Sequence, residues 1–311
     1  MKEIIAMRIL VTTGDFKNFL VPNFYTLLRE LQKSVELLIW HEPGNINDIL
    51  AKIDGSVDFI FINEYGELNS PAISGLDSID IPYAILLYDL HYNRASRKRD
   101  IIEKDVTFIF SHYRDKFYEW YPELWKKMQW FPHHVNTELY KDYKLHKDID
   151  LLLMGEIIPW IYPLRTRMLE VMRDKPGFVY HEHPGWHNFT EEEKSTLFVG
   201  EKYAREINRA KIFLTCDSIY KYPVVKYFEV LACNTLLLAS TSKELFDLGF
   251  VPGVHFVPVD EDDFEEKAQY YLEHESERLK IAQQGYEMVR EKHSTVNRAA
   301  DFLNIINDIL Q

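Results

Sequence analysis

Lys226-Tyr227-Phe228-Glu229-Val230-Leu231-Ala232-Cys233-Asn234-Thr235-Leu236-Leu237-Leu238-Ala239 reads as a helix that runs straight into a buried strand. Pro223 precedes the helical pattern, where a proline is tolerated because the first N–H groups of a helix lack partners anyway. Lys226 and Glu229, three residues apart, share neighbouring faces of one turn. Asn234 suits the left-handed backbone that ends many helices. Leu236–Ala239 is then a continuous apolar run of strand length.

The same unit repeats on both sides. Ile149–Met154 is a strand candidate ending at Gly155, and Tyr162–Met172 is helical. Phe178–His181, Ile212–Thr215 and His255–Val259 are further strands, with helices over Tyr203–Arg209, Val224–Ala232 and Lys243–Leu248. Asp262–Leu272, Glu277–Glu291 and Thr295–Leu310 form a helical tail. Upstream, Arg8–Thr12, Val35–Trp40, Val57–Ile62, Tyr83–Tyr88 and Val106–Phe110 read as strands, and Phe16, Leu20, Phe24, Leu27, Leu28 and Leu31 recur at helical spacing. Short apolar strands joined by connections long enough to cross over predict parallel sheets covered on both faces. The polar stretch that begins at Pro132 and the charged His146-Lys147-Asp148 interrupt the pattern. The expected division is therefore residues 1–145 and 146–311, two Rossmann-like doubly wound α/β domains facing a central cleft. Ligands of such sheets bind beyond the carboxyl ends of the strands.

Composition narrows the function. A chain of 311 residues with 46% hydrophobic and 27% charged content can build two cores. Its formal net charge of −13 argues against general binding to nucleic acid or anionic membranes, so an anionic ligand needs a local basic pocket. Two cysteines, Cys216 and Cys233, cannot build a disulfide framework, which fits a reducing, cytoplasmic setting. Charges inside the N-terminal Met1–Arg8 stretch speak against a signal peptide, and no apolar run is long enough to span a bilayer.

The charged residues of the opening stretch then gain a chemical reading. A carboxylate in such a helix can accept hydrogen bonds from the vicinal hydroxyls of a ribose, and a cation at a helix start can hold a diphosphate. Spacing alone equally allows Lys226 and Glu229 to be a solvated pair.

Lys226–Thr235 resembles the "R-x-F-E-x-L-A-C-G" signature of GT-B glycosyltransferases, in particular the spore-maturation-protein-like (CgeB-like) group. Tyr271-Leu272-Glu273-His274, Arg278, Ile281-Ala282, Gly285, His293-Ser294-Thr295 and Arg298 follow that group's ending in order. Asp150–Gly155 with Tyr162-Pro163-Leu164-Arg165 resembles the opening of its C-terminal domain. The resemblance, over roughly residues 149–300, implies a nucleotide-diphosphate sugar donor held by the C-terminal domain, an unknown acceptor, and neither cofactor nor essential metal. It implies that Glu229 holds the ribose, with Lys226 and Arg165 near the phosphates and Gly155 and Tyr227 beside them. Asn234 replaces the group's glycine. Lys221 stands where related retaining transferases carry a second glutamate, and retention is the expected outcome.

In the first half, Asp89 and His91 follow the strand Tyr83–Tyr88. His91 is the expected base or sugar contact with Asp89 orienting it; a polar strand end packed on Arg94 or Arg97 is the plainer alternative. Gly14, after the first strand, is a further donor-side candidate. His181 and His183 share a strand face and invite a metal reading, but Pro184-Gly185 follows at once and no further ligand cluster is visible. Two other functions fit the same scaffold: a non-catalytic nucleotide or sugar binder, and a nucleotide-sugar epimerase.

Overall fold

The computed structural model describes residues 7–66 and 70–311, so residues 1–6 of the N-terminal stretch lie outside the described residues. The chain divides into two units. The first comprises the described residues of 1–17, 24–132 and 298–311, the second residues 18–23 and 133–297.

In the first unit, β1 (Arg8–Thr12), β2 (Glu36–Trp40), β3 (Phe59–Ile62), β4 (Tyr83–Leu87), β5 (Phe108–Ser111) and β6 (Met128–Trp130) form one sheet in the order β2-β1-β3-β4-β5-β6. Every pairing is parallel. The strand order reverses between β1 and β3, which makes that edge the switch point of the sheet. All four residues of β3 are buried, as a strand covered on both faces requires. Phe61 on β3 centres the aromatic core, with Phe24, Phe110 and Phe302 at ring distances of 6.2, 5.2 and 4.9 Å.

Two features differ from the sequence expectation. The helical spacing from Phe16 to Leu31 yields a helix only over α1 (Asn23–Leu31). Pro22 explains the late start, because proline lacks an N–H and disfavours helical backbone in the residue before it. The strand β6 was not anticipated, since Met-Gln-Trp between two lysines and Phe-Pro carries no apolar run.

In the second unit, β7 (Ile149–Met154), β8 (Phe178–His181), β9 (Ala210–Leu214), β10 (Leu236–Ala239) and β11 (Val257–Pro258) form a parallel sheet in the order β8-β7-β9-β10-β11. Its switch point lies between β7 and β9. The helices that matter below are α2 (Pro163–Met172), α3 (Gly200–Arg209), α4 (Lys226–Ala232), α5 (Glu275–Lys292) and α6 (Thr295–Leu310). Leu151, Leu153, Ile212, Leu214, Leu236, Leu238 and Val257 make the sheet's share of one apolar core.

The units part at Pro132/His133, upstream of the interruption near residue 145. Backbone hydrogen bonds from Val135 N–H to His293 O (2.9 Å) and from Thr295 N–H to Val135 O (3.0 Å) fasten this segment to the end of α5. From Arg298 onward α6 packs with the first unit, where Phe302 meets Phe61, Phe110 and Phe131. Both cysteines are free and buried, and no described helix is long and apolar enough to cross a membrane.

Gly285 carries a stability prediction. It lies inside α5, where glycine ordinarily costs about 1 kcal/mol relative to alanine. Here an added Cβ would collide with the backbone oxygen of His255 and stand 2.8 Å from a Leu231 methyl. Gly285→Ala is therefore expected to destabilise by roughly 1–3 kcal/mol, the usual cost of overpacking, reversing the sign seen in an open helix. A thermal melt several degrees lower bears this out; an unchanged or higher melt shows that α5 can move aside.

Candidate functional site

The site is built at the switch point of the second sheet. Arg165, in the first turn of α2 behind Pro163, is only 2% exposed. Its Nη1 donates to Glu156 O (2.8 Å) in the loop after β7, and its Nη2 to Thr215 Oγ1 (3.2 Å) and Cys216 O (3.3 Å) after β9. One guanidinium thus clamps the carboxyl ends of both strands. It also stacks on Tyr162 with 4.1 Å to the ring centroid, and its buried Nε–H has no hydrogen-bond partner.

Lys226, at the start of α4, converges on the same place. Gly155 is where the two cations meet. A Cβ there would lie 2.6 Å from Lys226 Cε and 3.3 Å from Arg165 Nη1, and the residue has φ +135°. Only glycine leaves that space open. Burial pulls the Lys226 ammonium down to about 8, and Arg165 adds to the depression while Glu229 and Glu156 oppose it. His183 reports the same field: burial, then Lys226 and Arg165, lower its imidazole to about 4.

Glu229 lies three residues on along α4 and is 1% exposed. Lys226 Nζ donates to Tyr203 OH (3.3 Å) on α3, and Tyr203 OH donates to Glu229 Oε2 (3.2 Å). Tyr140 also acts on the carboxyl, lowering it. Oε1 has no partner. Burial raises the Glu229 carboxyl above its ordinary range, although Lys226 and the two tyrosines pull it back. A buried and a half-buried cation around a glycine, with a half-partnered carboxylate beside them, make a chemistry suited to an anion with a hydroxyl-bearing neighbour. Burial of such charge without a counter-ion costs free energy, which a bound anion would offset.

The structure therefore brings together Gly155, Arg165, Lys226 and Glu229, four of the residues that the sequence singles out in this half. Tyr227 does not join them. It is a fully buried core ring, packed edge-on against Phe250 and Phe256, with its OH donating to Ser240 O at 2.7 Å. Tyr203, Tyr140 and Glu156 escaped the sequence reading. Each comes from a different element, and nothing in its neighbours marks it.

His181 and His183 part company. His181 Nε2 pairs with Glu206 at 2.7 Å, whereas His183 Nδ1 accepts from Gly185 N–H at 3.1 Å. Among the described residues no three His, Cys, Asp or Glu side chains are grouped to hold a metal ion.

In the first unit, Asp89 and His91 follow β4. The Asp89 carbonyl accepts from Arg97 Nη1 at 3.0 Å, and the His91 ring rests on Tyr92 at 4.3 Å. Burial, then Arg97, lowers the His91 imidazole, so its neutral form is favoured. Gly14 lies in the turn after β1, where its carbonyl accepts from Thr13 Oγ1 at 3.1 Å.

The profile of a family described as glycosyl transferase-like matches residues 165–304, a span that starts at Arg165 and includes Lys226 and Glu229. Solved structures align over nearly the whole chain. Sucrose-phosphate synthase from Thermosynechococcus elongatus is 12% identical with a TM-score of 0.69, covering 98% of this chain and 99% of that one. Anabaena HepE in complex with UDP-glucose is 10% identical with a TM-score of 0.62, covering 97% and 100%. An alpha-glucosyltransferase in complex with UDP-glucose and DNA containing an abasic site is 13% identical with a TM-score of 0.63, covering 97% and 99%. No curated protein matches the sequence. The chain has the GT-B glycosyltransferase fold: two parallel α/β sheets, of six and five strands, with C-terminal helices.

Proposed function

We propose that the protein is a glycosyltransferase of the spore-maturation-protein-like group, moving a sugar from a UDP-sugar to a hydroxyl or amine acceptor with retention at the anomeric carbon. The observation that carries this reading is the convergence of Arg165 and Lys226 over Gly155, one helical turn from the half-partnered Glu229. The UDP-glucose complexes among the structural relatives support the choice of donor.

In the reaction the bond between the anomeric carbon and the diphosphate oxygen breaks, and a bond from the acceptor heteroatom to that carbon forms. The leaving diphosphate gains negative charge as the bond lengthens. Lys226 and Arg165, already fixed by protein contacts, stabilise that charge without reorganising, which suits metal-independent transfer. Glu229 holds the ribose hydroxyls through Oε1. Retention in one step requires attack on the face that the diphosphate leaves, so the acceptor's proton passes to the leaving diphosphate oxygen.

The test is a thermal-shift titration with UDP and UDP-glucose, with and without EDTA, since a ligand bound only by the folded state raises the melting temperature. A shift that EDTA leaves unchanged is expected. If no nucleoside diphosphate shifts the folded protein, the transferase reading falls.

A further inference from the structure

A recess opens in the first unit, and Gly14 of the turn after β1 is one of the residues that line it. It lies between the turn after β1, helix α1 and the end of β2, with a volume of about 120 Å³. Phe16, Phe24, Leu28 and Ile39 supply apolar wall, with Tyr25, His41, Asp15 and Lys17 also lining it. Ile39 is 37% exposed on the outermost strand, so part of this wall is an apolar surface open to a ligand.

His41 gives the recess a direction. Its Nδ1 lies 2.7 Å from the carbonyl oxygen of Thr13. A carbonyl can only accept, so Nδ1 carries the hydrogen. In the neutral ring the acceptor is then Nε2. Thr13 is itself fixed, because its N–H donates to Trp40 O at 3.0 Å and its Oγ1 accepts from Asn63 Nδ2 at 3.0 Å. The tautomer and plane of the imidazole are thereby set by buried backbone rather than by solvent.

We infer that this recess binds a phenol: a planar six-membered ring against the Phe16, Phe24, Leu28 and Ile39 wall, with its hydroxyl donating to His41 Nε2. Size limits the occupant. Clefts for drug-sized ligands run to roughly 300–1,000 Å³, so a nucleotide or disaccharide is too large, whereas cavities on the order of 150 Å³ with Leu, Ile and Phe walls take up benzene. Aromatic walls favour a ring over a flexible chain, which would lose more rotational freedom on binding. An acceptor nitrogen on His41 favours a ring that carries a hydroxyl over an unsubstituted one. Asp15 and Lys17 both line the recess, so a ring carrying a charge meets one side chain of each sign there. The inference does not depend on nucleotide binding in the second unit.

The experiment is ligand-observed fluorine NMR on the whole chain at about pH 8, above the ordinary imidazole range, with 4-fluorophenol and fluorobenzene as probes. We expect 4-fluorophenol to bind with a Kd on the order of 1 mM, reasonable for so few atoms. It should bind about fivefold tighter than fluorobenzene, the worth of one net hydrogen bond. Ile39→Trp, a change at a partly exposed position, fills the recess and is expected to weaken 4-fluorophenol at least tenfold. His41→Phe keeps a ring but removes the acceptor, and should bring phenol and fluorobenzene to equal affinity. Thermal melts of both variants confirm that they fold. Wild-type protein that does not distinguish 4-fluorophenol from fluorobenzene, or a folded Ile39→Trp that still binds it normally, overturns the assignment. A UDP titration of the same samples reports separately on the transferase reading.

Discussion

Glu229→Gln is expected to weaken UDP binding by roughly 10–100-fold and, in the same protein without ligand, to raise the melting temperature. The first effect follows from the charge of the carboxylate. Hydrogen bonds to an ionised group contribute about 1.5–3 kcal/mol each, against 0.5–1.5 for neutral pairs. An amide at this position keeps one acceptor oxygen but offers the ribose hydroxyls no charge, so a loss of roughly 1.4–2.8 kcal/mol corresponds to the stated range.

The second effect follows from burial. The carboxyl is raised above its ordinary range mainly by desolvation. A carboxyl whose folded pKa lies above its unfolded one binds more protons folded than unfolded in that interval. Stability therefore falls as pH rises from the ordinary carboxylate range through the raised one. The ionised carboxylate of the ligand-free protein carries this penalty, and the neutral amide removes it while keeping Tyr203 as a hydrogen-bond donor. Calorimetric titration with UDP and a melt without ligand separate the two outcomes. Unchanged UDP affinity removes Glu229 from the donor site, and a lower ligand-free melt shows that the carboxylate holds the fold together.

That opposition between stability and binding explains why part of the site was legible in the sequence and part was not. Glu229 and Lys226 stand on an otherwise apolar helix that feeds a buried strand, and charges in such a place are worth attention. Arg165 stands two residues behind a helix-starting proline for the same reason. Tyr203 reaches Glu229 only because α3 and α4 pack side by side at the sheet's carboxyl edge, and no local periodicity announces such a meeting. Tyr227 shows the converse. It lies within the motif, but its helical position turns the ring into the core, where Phe250 and Phe256 receive it.

The fold was legible for a simpler reason. Phe178–His181, Leu236–Ala239 and Thr295–Leu310 have the limits that their apolar patterns predict. Buried parallel strands and a long amphipathic helix carry their burial in their own residues. Strand β6 and the recess by His41 do not. The first is three residues held by pairing with β5, and the second is a hydrogen bond from a side chain to a distant carbonyl.

Lys226 gives the site a pH dependence with a definite sign. Its ammonium is lowered to about 8, first by burial and then by Arg165. Only the protonated form attracts a diphosphate, and the bound anion restores the lysine toward its ordinary value near 10.4. Binding above pH 8 must therefore take up a proton, and UDP affinity is expected to fall about tenfold between pH 7 and pH 9. Uridine, which has no phosphate, should show no comparable loss. Lys226→Arg keeps its charge throughout this range and should flatten the profile, whereas Lys226→Met should bind UDP weakly at pH 7 and show the same flatness. The ligand-free protein should move the other way. The unfolded chain holds the lysine proton more tightly than the folded one, so the Lys226 contribution to stability rises from about pH 8 toward the ordinary lysine range. UDP titrations at pH 7, 8 and 9, paired with melts of the same samples, read both trends. A wild-type UDP affinity that stays constant to pH 9 would place the diphosphate away from Lys226 and leave Arg165 as the cation that receives it.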